Sequence, residues 1–323
     1  MYLRKKTALI SCITVSLIMV IYLMDKDVVE RLLHRENSVD NQLQESKFLL
    51  VLVTTWKLSP EKLAVYENTV HIWGNWPLLV QPVLYTPAIP GDKVNNSQLD
   101  MHLGKTWKIQ NVSKVACGQI PVLKSMIVDV LASFTNYDFY GYANGDILFD
   151  ESLINTLKSI KEKIPQNKPI LIVGQRINVN FTNRNHVAIS DILQIAQSGY
   201  LMKGVAVDYF ITNQHFPWHK ILDLVVGRIK YDNWLIYFAN SQNITIIDTT
   251  HTLTAVHQTT TDGNDAGWKH PNKYCNDAII RANKKRFRTR WGYIWCVPYY
   301  TESNRKTNEI EILHRKTSPS CKP

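Results

Sequence analysis

The sequence predicts an α/β fold, a mostly parallel sheet flanked by helices in a Rossmann-like arrangement, carried behind an N-terminal transmembrane helix. Three observations lead there. Short, continuous apolar runs such as FLLVLVTT, beginning at Phe48, have the composition of strands buried on both faces. They alternate with segments of helical period, the order from which parallel sheets are built. An uncharged apolar stretch, Ala8 to Met24, stands close to the N-terminus.

Composition bounds the rest. The 323 residues are 45% apolar and 20% charged, with 13 Gly and 13 Pro, which excludes collagen-like, low-complexity and disordered classes. That length accommodates one large α/β domain with a substantial core. The 37 Lys and Arg outnumber the 27 Asp and Glu, leaving a formal charge of +10 that favours anionic partners without choosing among them.

Arg4, Lys5 and Lys6 precede the apolar stretch, so the positive-inside rule places residues 1–7 in the cytosol and the chain after Met24 in the lumen. Met24-Asp25-Lys26 offers no small-x-small cleavage site, which favours an uncleaved signal anchor over 8–24. The expectation is a single-pass type II protein of the Golgi or endoplasmic reticulum membrane. Residues 25–46 read as a polar stem with Val28, Val29, Leu32 and Leu33 at helical spacing. Outside the anchor remain Cys117, Cys275, Cys296 and Cys321, a number suited to an oxidising lumen. Cys275 with Cys296 is the expected bridge because it closes a short loop around a basic segment. Without a C-x-x-C spacing there is no zinc signature. Sequons at Asn95, Asn111, Asn180 and Asn243 permit glycosylation.

The domain itself is read over 47–300. After the first strand comes a helix from Ser59 with Pro60 at its first turn, then a strand over Leu78 to Tyr85. Residues 86–117 lack periodicity and read as a long surface loop. Pro121 opens a helix in which Leu123, Met126, Ile127, Val130, Leu131 and Phe134 share one face. The strand FYGYANGDILF, a helix from Ser152 to Lys163 and the strand PILIVGQRI follow. VAVDYFIT reads as a strand, DNWLIYFANS as a helix, and ITIID and LTAVHQ as further strands. Residues 301–323 read as a loosely held polar tail.

Five places could carry chemistry. Asn144 and Asp146 stand two apart after an apolar strand, so their oxygens can converge on one hard cation, manganese or magnesium. The same Asn-Gly step also suits a hairpin turn. Asp208 is an acid inside an apolar run and needs a partner, whether structural or in a cleft. Asp232 opens a helix, as an N-cap or as a general base. His257 ends a short apolar strand and could be a structural imidazole or a ligand to the same cation. Arg281 to Arg290 is dense in Lys and Arg beside the aromatic segment Trp291 to Trp295, a solvated face or a grip for a diphosphate or acidic acceptor.

Taken in order, YANGDILF, VGQRINV, GVAVDYF, VGRIKYDNWLI and IDTTHTLTAVHQ resemble the GT-A class of nucleotide-sugar glycosyltransferases, in particular family-2-like members, over most of residues 47–283. The resemblance implies a GT-A fold and a nucleoside-diphosphate sugar donor. It also implies a glycan or glycoconjugate acceptor, a Mn2+ or Mg2+ cofactor and no nucleic-acid partner. It assigns Asn144 and Asp146 to the acidic donor-binding motif, Asp146 and His257 to the metal, Asp232 to the base of an inverting transfer, and Arg176 and Asp208 to the substrate pocket. Two departures stand out. Asn144 replaces the first acid, and Thr259-Thr260-Thr261-Asp262-Gly263 stands where the pattern has His-Asp-Tyr. A non-catalytic lumenal binding module on the same scaffold and a metal-dependent phosphohydrolase are the competing readings.

Overall fold

The structure, a computed structural model, describes residues 48–56, 62–76, 78–86, 103, 105–182, 186–260, 269–284 and 286–321. The expected cytosolic tail, anchor and stem, the helix start at Ser59 and Pro60, and the sequon at Asn95 lie outside these residues. Among the described residues no helix is long and apolar enough to cross a membrane.

β1 (Phe48–Thr55) shows why its apolar run is unbroken. Leu50 and Leu52 enter one core with Ile72, Trp73 and Leu153, while Val51 and Val53 enter another with Met126, Val130 and Trp234. Both faces of the strand are therefore covered, and neither tolerates a polar side chain. α1 (Leu63–Trp73) contributes Ile72 and Trp73 to the first core. β2 (Val80–Thr86) pairs with β1 in parallel, and β3 (Lys108–Asn111) extends the sheet beyond β2. β3 corrects the reading of 86–117 as loop alone. Its side chains are half-exposed or exposed, so pairing through the backbone, and no apolar pattern, makes it a strand.

A two-stranded hairpin, β4 (Val115–Ala116) and β5 (Ile120–Pro121), leads into α2 (Leu123–Ser133), which buries the expected Leu123, Met126, Ile127 and Val130. β6 (Tyr137–Ala143) and β7 (Ile147–Phe149) come next, then α3 (Ser152–Lys163). β8 (Ile170–Val173), β9 (Ile177–Asn180), α4 (Ile192–Gln197) and β10 (Tyr200–Leu201) precede β11 (Tyr209–Asn213). The chain continues through α5 (Tyr231–Ser241), β12 (Thr245–Asp248), β13 (Ala255–Thr259) and α6 (Cys275–Ala282). It closes with β14 (Tyr299–Ser303) and β15 (Ile310–His314).

Nine strands form the main sheet in the order β15-β14-β12-β8-β11-β6-β1-β2-β3. β11 runs antiparallel to β6 and β8, and β15 to β14; the other pairings are parallel. A second sheet has the order β10-β9-β13-β7. Two segments read as single strands are in fact two strands in different sheets. β6 lies in the large sheet and β7 in the small one, and the chain crosses at Asn144-Gly145-Asp146. β8 and β9 split in the same way, with the crossing at Gly174-Gln175-Arg176. Polar candidates therefore collect where the chain leaves one sheet for the other, beyond strand ends where side chains can converge.

Two expectations are corrected at the C-terminal end. Residues 301–321 are no loose tail, since β14 pairs in parallel with β12 and β15 closes that edge. Arg315 Nη2 lies 2.6 Å from Oδ2 of the buried Asp248 and ties this edge down. In β14 only Thr301 is buried, and the Ile310, Ile312 and Leu313 of β15 are half-buried, so neither strand shows the unbroken buried apolar run of the central strands. The bridge Cys275–Cys296 is also not formed. Cys275 pairs with Cys117 and Cys296 with Cys321, with Cα atoms 6.2 Å and 5.3 Å apart. Proximity along the chain was the wrong guide. The hairpin turn brings Cys117 against the start of α6, where Asn272 Nδ2 donates to its carbonyl, and the end of the chain returns to cover Cys296.

Candidate active site

Asn144, Asp146, Arg176, Asp208, Asp232 and His257 all line one cleft of about 710 Å3. The register of the small sheet explains the central pair. His257 on β13 sits opposite Ile147 on β7, so the residue just before Ile147 comes beside the imidazole. Asp146 Oδ2 lies 3.2 Å from His257 Nε2, and the Gln258 N–H donates to the Asp146 carbonyl at 3.0 Å. His257 Nδ1 is 3.0 Å from Thr259 Oγ1, which orients the ring. Burial pushes the Asp146 carboxyl up, but the combined pull of His257, Arg176 and Lys62 wins and holds it at about 2. It is an anion at neutral pH. Its Oδ1 is buried without a hydrogen-bond partner, an unusual state for a carboxylate oxygen.

The turn that presents Asp146 depends on a close approach. A Cβ at Gly145 would stand 2.7 Å from Cε3 of Trp56, so only glycine lets this turn pack on the indole. The turn is real, yet it joins strands of different sheets and makes no hairpin.

Asn144 is no idle replacement for an acid. Its Nδ2 donates to Asp208 Oδ1 at 2.7 Å, and its backbone N–H donates to the Asp208 carbonyl at 2.9 Å. The same Oδ1 lies 2.5 Å from Arg176 Nη1, and Arg176 Nε donates to Asn178 Oδ1 at 2.9 Å. Asp208 is thus an acid held by an amide and a guanidinium, while its Oδ2 stays buried and unpartnered. An acid at 144 would face this carboxylate with like charge; the amide removes the conflict.

Asp232 lies in the first turn of α5, after Lys230 in the left-handed region. It is not the N-cap. Its Oδ2 accepts the Val207 N–H at 3.0 Å, tying the helix start to the segment before β11. Burial raises its carboxyl to about 6; the N–H groups of Val207 and Asn233 oppose that rise, and the charge of Asp208 adds to it. Two acids of one cleft therefore have values held far apart, Asp146 at about 2 and Asp232 at about 6.

Asp146 and His257 bring a carboxylate and an imidazole to one point, and the unpartnered Oδ1 of Asp146 is an oxygen without its complement. Among the described residues no three His, Cys, Asp or Glu side chains converge as a closed metal cage. The donor set fits an open divalent site, one that leaves most positions for water and phosphate, as Mg2+ and Mn2+ prefer.

Several cleft residues escaped the sequence reading. Trp56, at the end of β1, stacks on Tyr66 with ring centroids 4.7 Å apart, and its Nε1 is buried without a partner. Lys62 and Arg228 line the same cleft. The rule that ligands gather beyond strand ends would have found Trp56; no pattern marks the two cations. Among the described residues of the run Arg281 to Arg290, only Thr289 lines the cleft. The sequons Asn111, Asn180 and Asn243 are exposed, away from strand interiors.

No family model matches the chain, and no curated protein matches it. Among solved structures it is similar to a protein described as a nucleotide-diphospho-sugar transferase from Desulfovibrio desulfuricans G20. The two share 12% identity at a TM-score of 0.39, over 72% of this chain and 97% of that one. It is also similar to S. aureus TarS 1–349, with 12% identity and a TM-score of 0.27, over 44% of this chain and 38% of that one. At these scores neither likeness bears on function, and the residues of the cleft must.

Proposed function

We propose that this cleft is the active site of a GT-A-type glycosyltransferase, moving a sugar from a nucleoside diphosphate to a glycan or glycoconjugate hydroxyl. The observation that carries the reading is the pairing of opposite protonation tendencies in one cleft: Asp146 held ionised beside His257, and Asp232 raised to about 6. Asp146 and His257 would hold Mn2+ or Mg2+, and a bound cation there supplies charge neutralisation for the leaving diphosphate. Arg176 fixes Asp208 through a buried ion pair, and Asn144 donates to the same oxygen. Trp56 and Tyr66 offer an apolar wall against which a base can lie.

In the transfer, the bond between the anomeric carbon and the phosphate oxygen breaks, and its electron pair stays on the diphosphate. The acceptor oxygen forms the new bond to that carbon. Its proton passes to the Asp232 carboxylate, whose raised value makes it a competent base near neutrality. Attack from the face opposite the leaving group gives inversion. The lumenal Golgi or endoplasmic reticulum location and the 8–24 anchor belong to the same proposal.

The test is turnover of a panel of nucleotide sugars by the full chain, with and without Mn2+. Metal-dependent transfer that is lost in Asp146→Ala supports the reading. Asn144 in place of an acid is the observation that favours the non-catalytic binding module, and nucleotide-sugar binding without turnover across the whole panel would select it.

A further inference from the structure

The cations of the cleft divide into two groups. Arg176 and Lys62 act on Asp146, at the centre assigned to the donor. Arg228 acts instead on His270, and Lys230, Thr289 and Tyr293 line the same cleft. Lys230 is already neutralised, because its Nζ pairs with Asp277. Arg228 is different. Its Nη1 donates only to the adjoining Gly227 carbonyl, its Nε is buried without a partner, and no carboxylate among the described residues pairs with it. A half-buried guanidinium facing a cleft with an orphaned N–H lacks an anion.

Its surroundings describe what that anion belongs to. Of the basic run, Thr289 lines the cleft between the exposed Arg288 and Arg290. Tyr293 lines the same cleft, its ring 4.6 Å from that of Trp295, which is 44% exposed. An aromatic face and an unpaired cation in one cleft suit a sugar ring that carries a negative group, since the ring has an apolar face and the guanidinium takes the charge. Resting on the transferase reading of this cleft, we infer that its acceptor is an anionic saccharide, carboxylated or sulfated, held by Arg228 with Tyr293 against the ring.

The experiment titrates the full chain with glucuronate-terminated, sulfated and neutral glucose-terminated oligosaccharides, with and without UDP, by thermal shift and calorimetry. The expected result is binding of an acidic probe about tenfold or more tighter than the neutral one, the scale of one charged hydrogen bond. Added salt should weaken the acidic probe alone. Which acidic probe wins separates carboxylate from sulfate. Arg228→Gln should abolish the preference and leave UDP binding unchanged, while Arg228→Lys should retain part of it. Equal, salt-insensitive binding of acidic and neutral probes by the wild type overturns the inference without need of any variant. So does an Arg228→Gln chain that keeps the preference or loses UDP affinity, which would put the guanidinium on the donor. These readouts need no turnover, so absence of nucleotide-sugar turnover, the failure of the transferase reading, is seen separately.

Discussion

Oδ2 of Asp146 lies 3.2 Å from Nε2 of His257, although 111 positions separate them in the chain. β7 and β13 pair antiparallel in a small sheet apart from the main one, and that pairing alone brings acid and imidazole together. Removing the acid tests the role assigned to it. Asp146→Ala should retain the far-UV spectrum and lose metal-dependent transfer by about 100-fold or more, the scale for one preorganised charge-stabilising group. Initial rates over a Mn2+ titration give the result, and unchanged turnover would remove Asp146 from the metal.

Asp232 gives the pH dependence. In the proposed mechanism the Asp232 carboxylate takes the acceptor proton, so the rate should rise with pH and level off above about 6. Stability should move the other way. The folded value of about 6 lies above the ordinary 3.8, so the native state binds more protons in that interval. Stability is therefore largest below about 4, falls as pH rises towards about 6 and stays lower beyond, by on the order of 3 kcal/mol. Asp232→Asn should flatten both profiles, cutting the rate about 100-fold or more while removing the loss of stability. Rate profiles and urea melts across pH 4 to 8 measure the two together.

The Arg176–Asp208 pair is buried on both sides, and Asn144 completes it. Arg176→Met should destabilise the chain by about 3 kcal/mol or more, because it strands the Asp208 carboxylate. Asn144→Asp should destabilise as well, by setting two carboxylates against one another, and Mn2+ should recover part of the loss. Denaturant midpoints with and without the metal are the measurement. An Asn144→Asp chain as stable as wild type without metal would contradict the role given to the amide.

Cys117–Cys275 and Cys296–Cys321 should be found by peptide mapping under non-reducing conditions, and Cys275–Cys296 should not. Cys296→Ser with Cys321→Ser should lower stability by about 3 kcal/mol, the chain-entropy scale for a loop of this order. The bridge spans 25 positions and fastens the C-terminal end beside the edge strand β15.

Much of the fold was legible because its signals are local. β1 reads as a strand buried on both faces from composition alone, and α2 and α3 read from their spacing, since burial acts residue by residue on these patterns. β3, β14 and β15 were not legible. They are short, half-exposed strands at or near the sheet edges, β3 and β14 mostly polar and β15 a mix of apolar and charged residues, held by backbone pairing rather than by an unbroken apolar run. Arg228 escaped for a related reason: nothing in its neighbours along the chain shows that it faces a cleft without a carboxylate.

By itself, the sequence determined the alternation of elements, the two cores of the main sheet and the identity of six polar residues worth watching. Only the tertiary structure decided that these six share one cleft, that FYGYANGDILF and PILIVGQRI each divide between two sheets, and which cysteines meet. The reason is physical. Period and composition report whether a residue is buried, whereas partnership across the chain depends on sheet register and on where the backbone turns, and neither is a property of neighbouring residues.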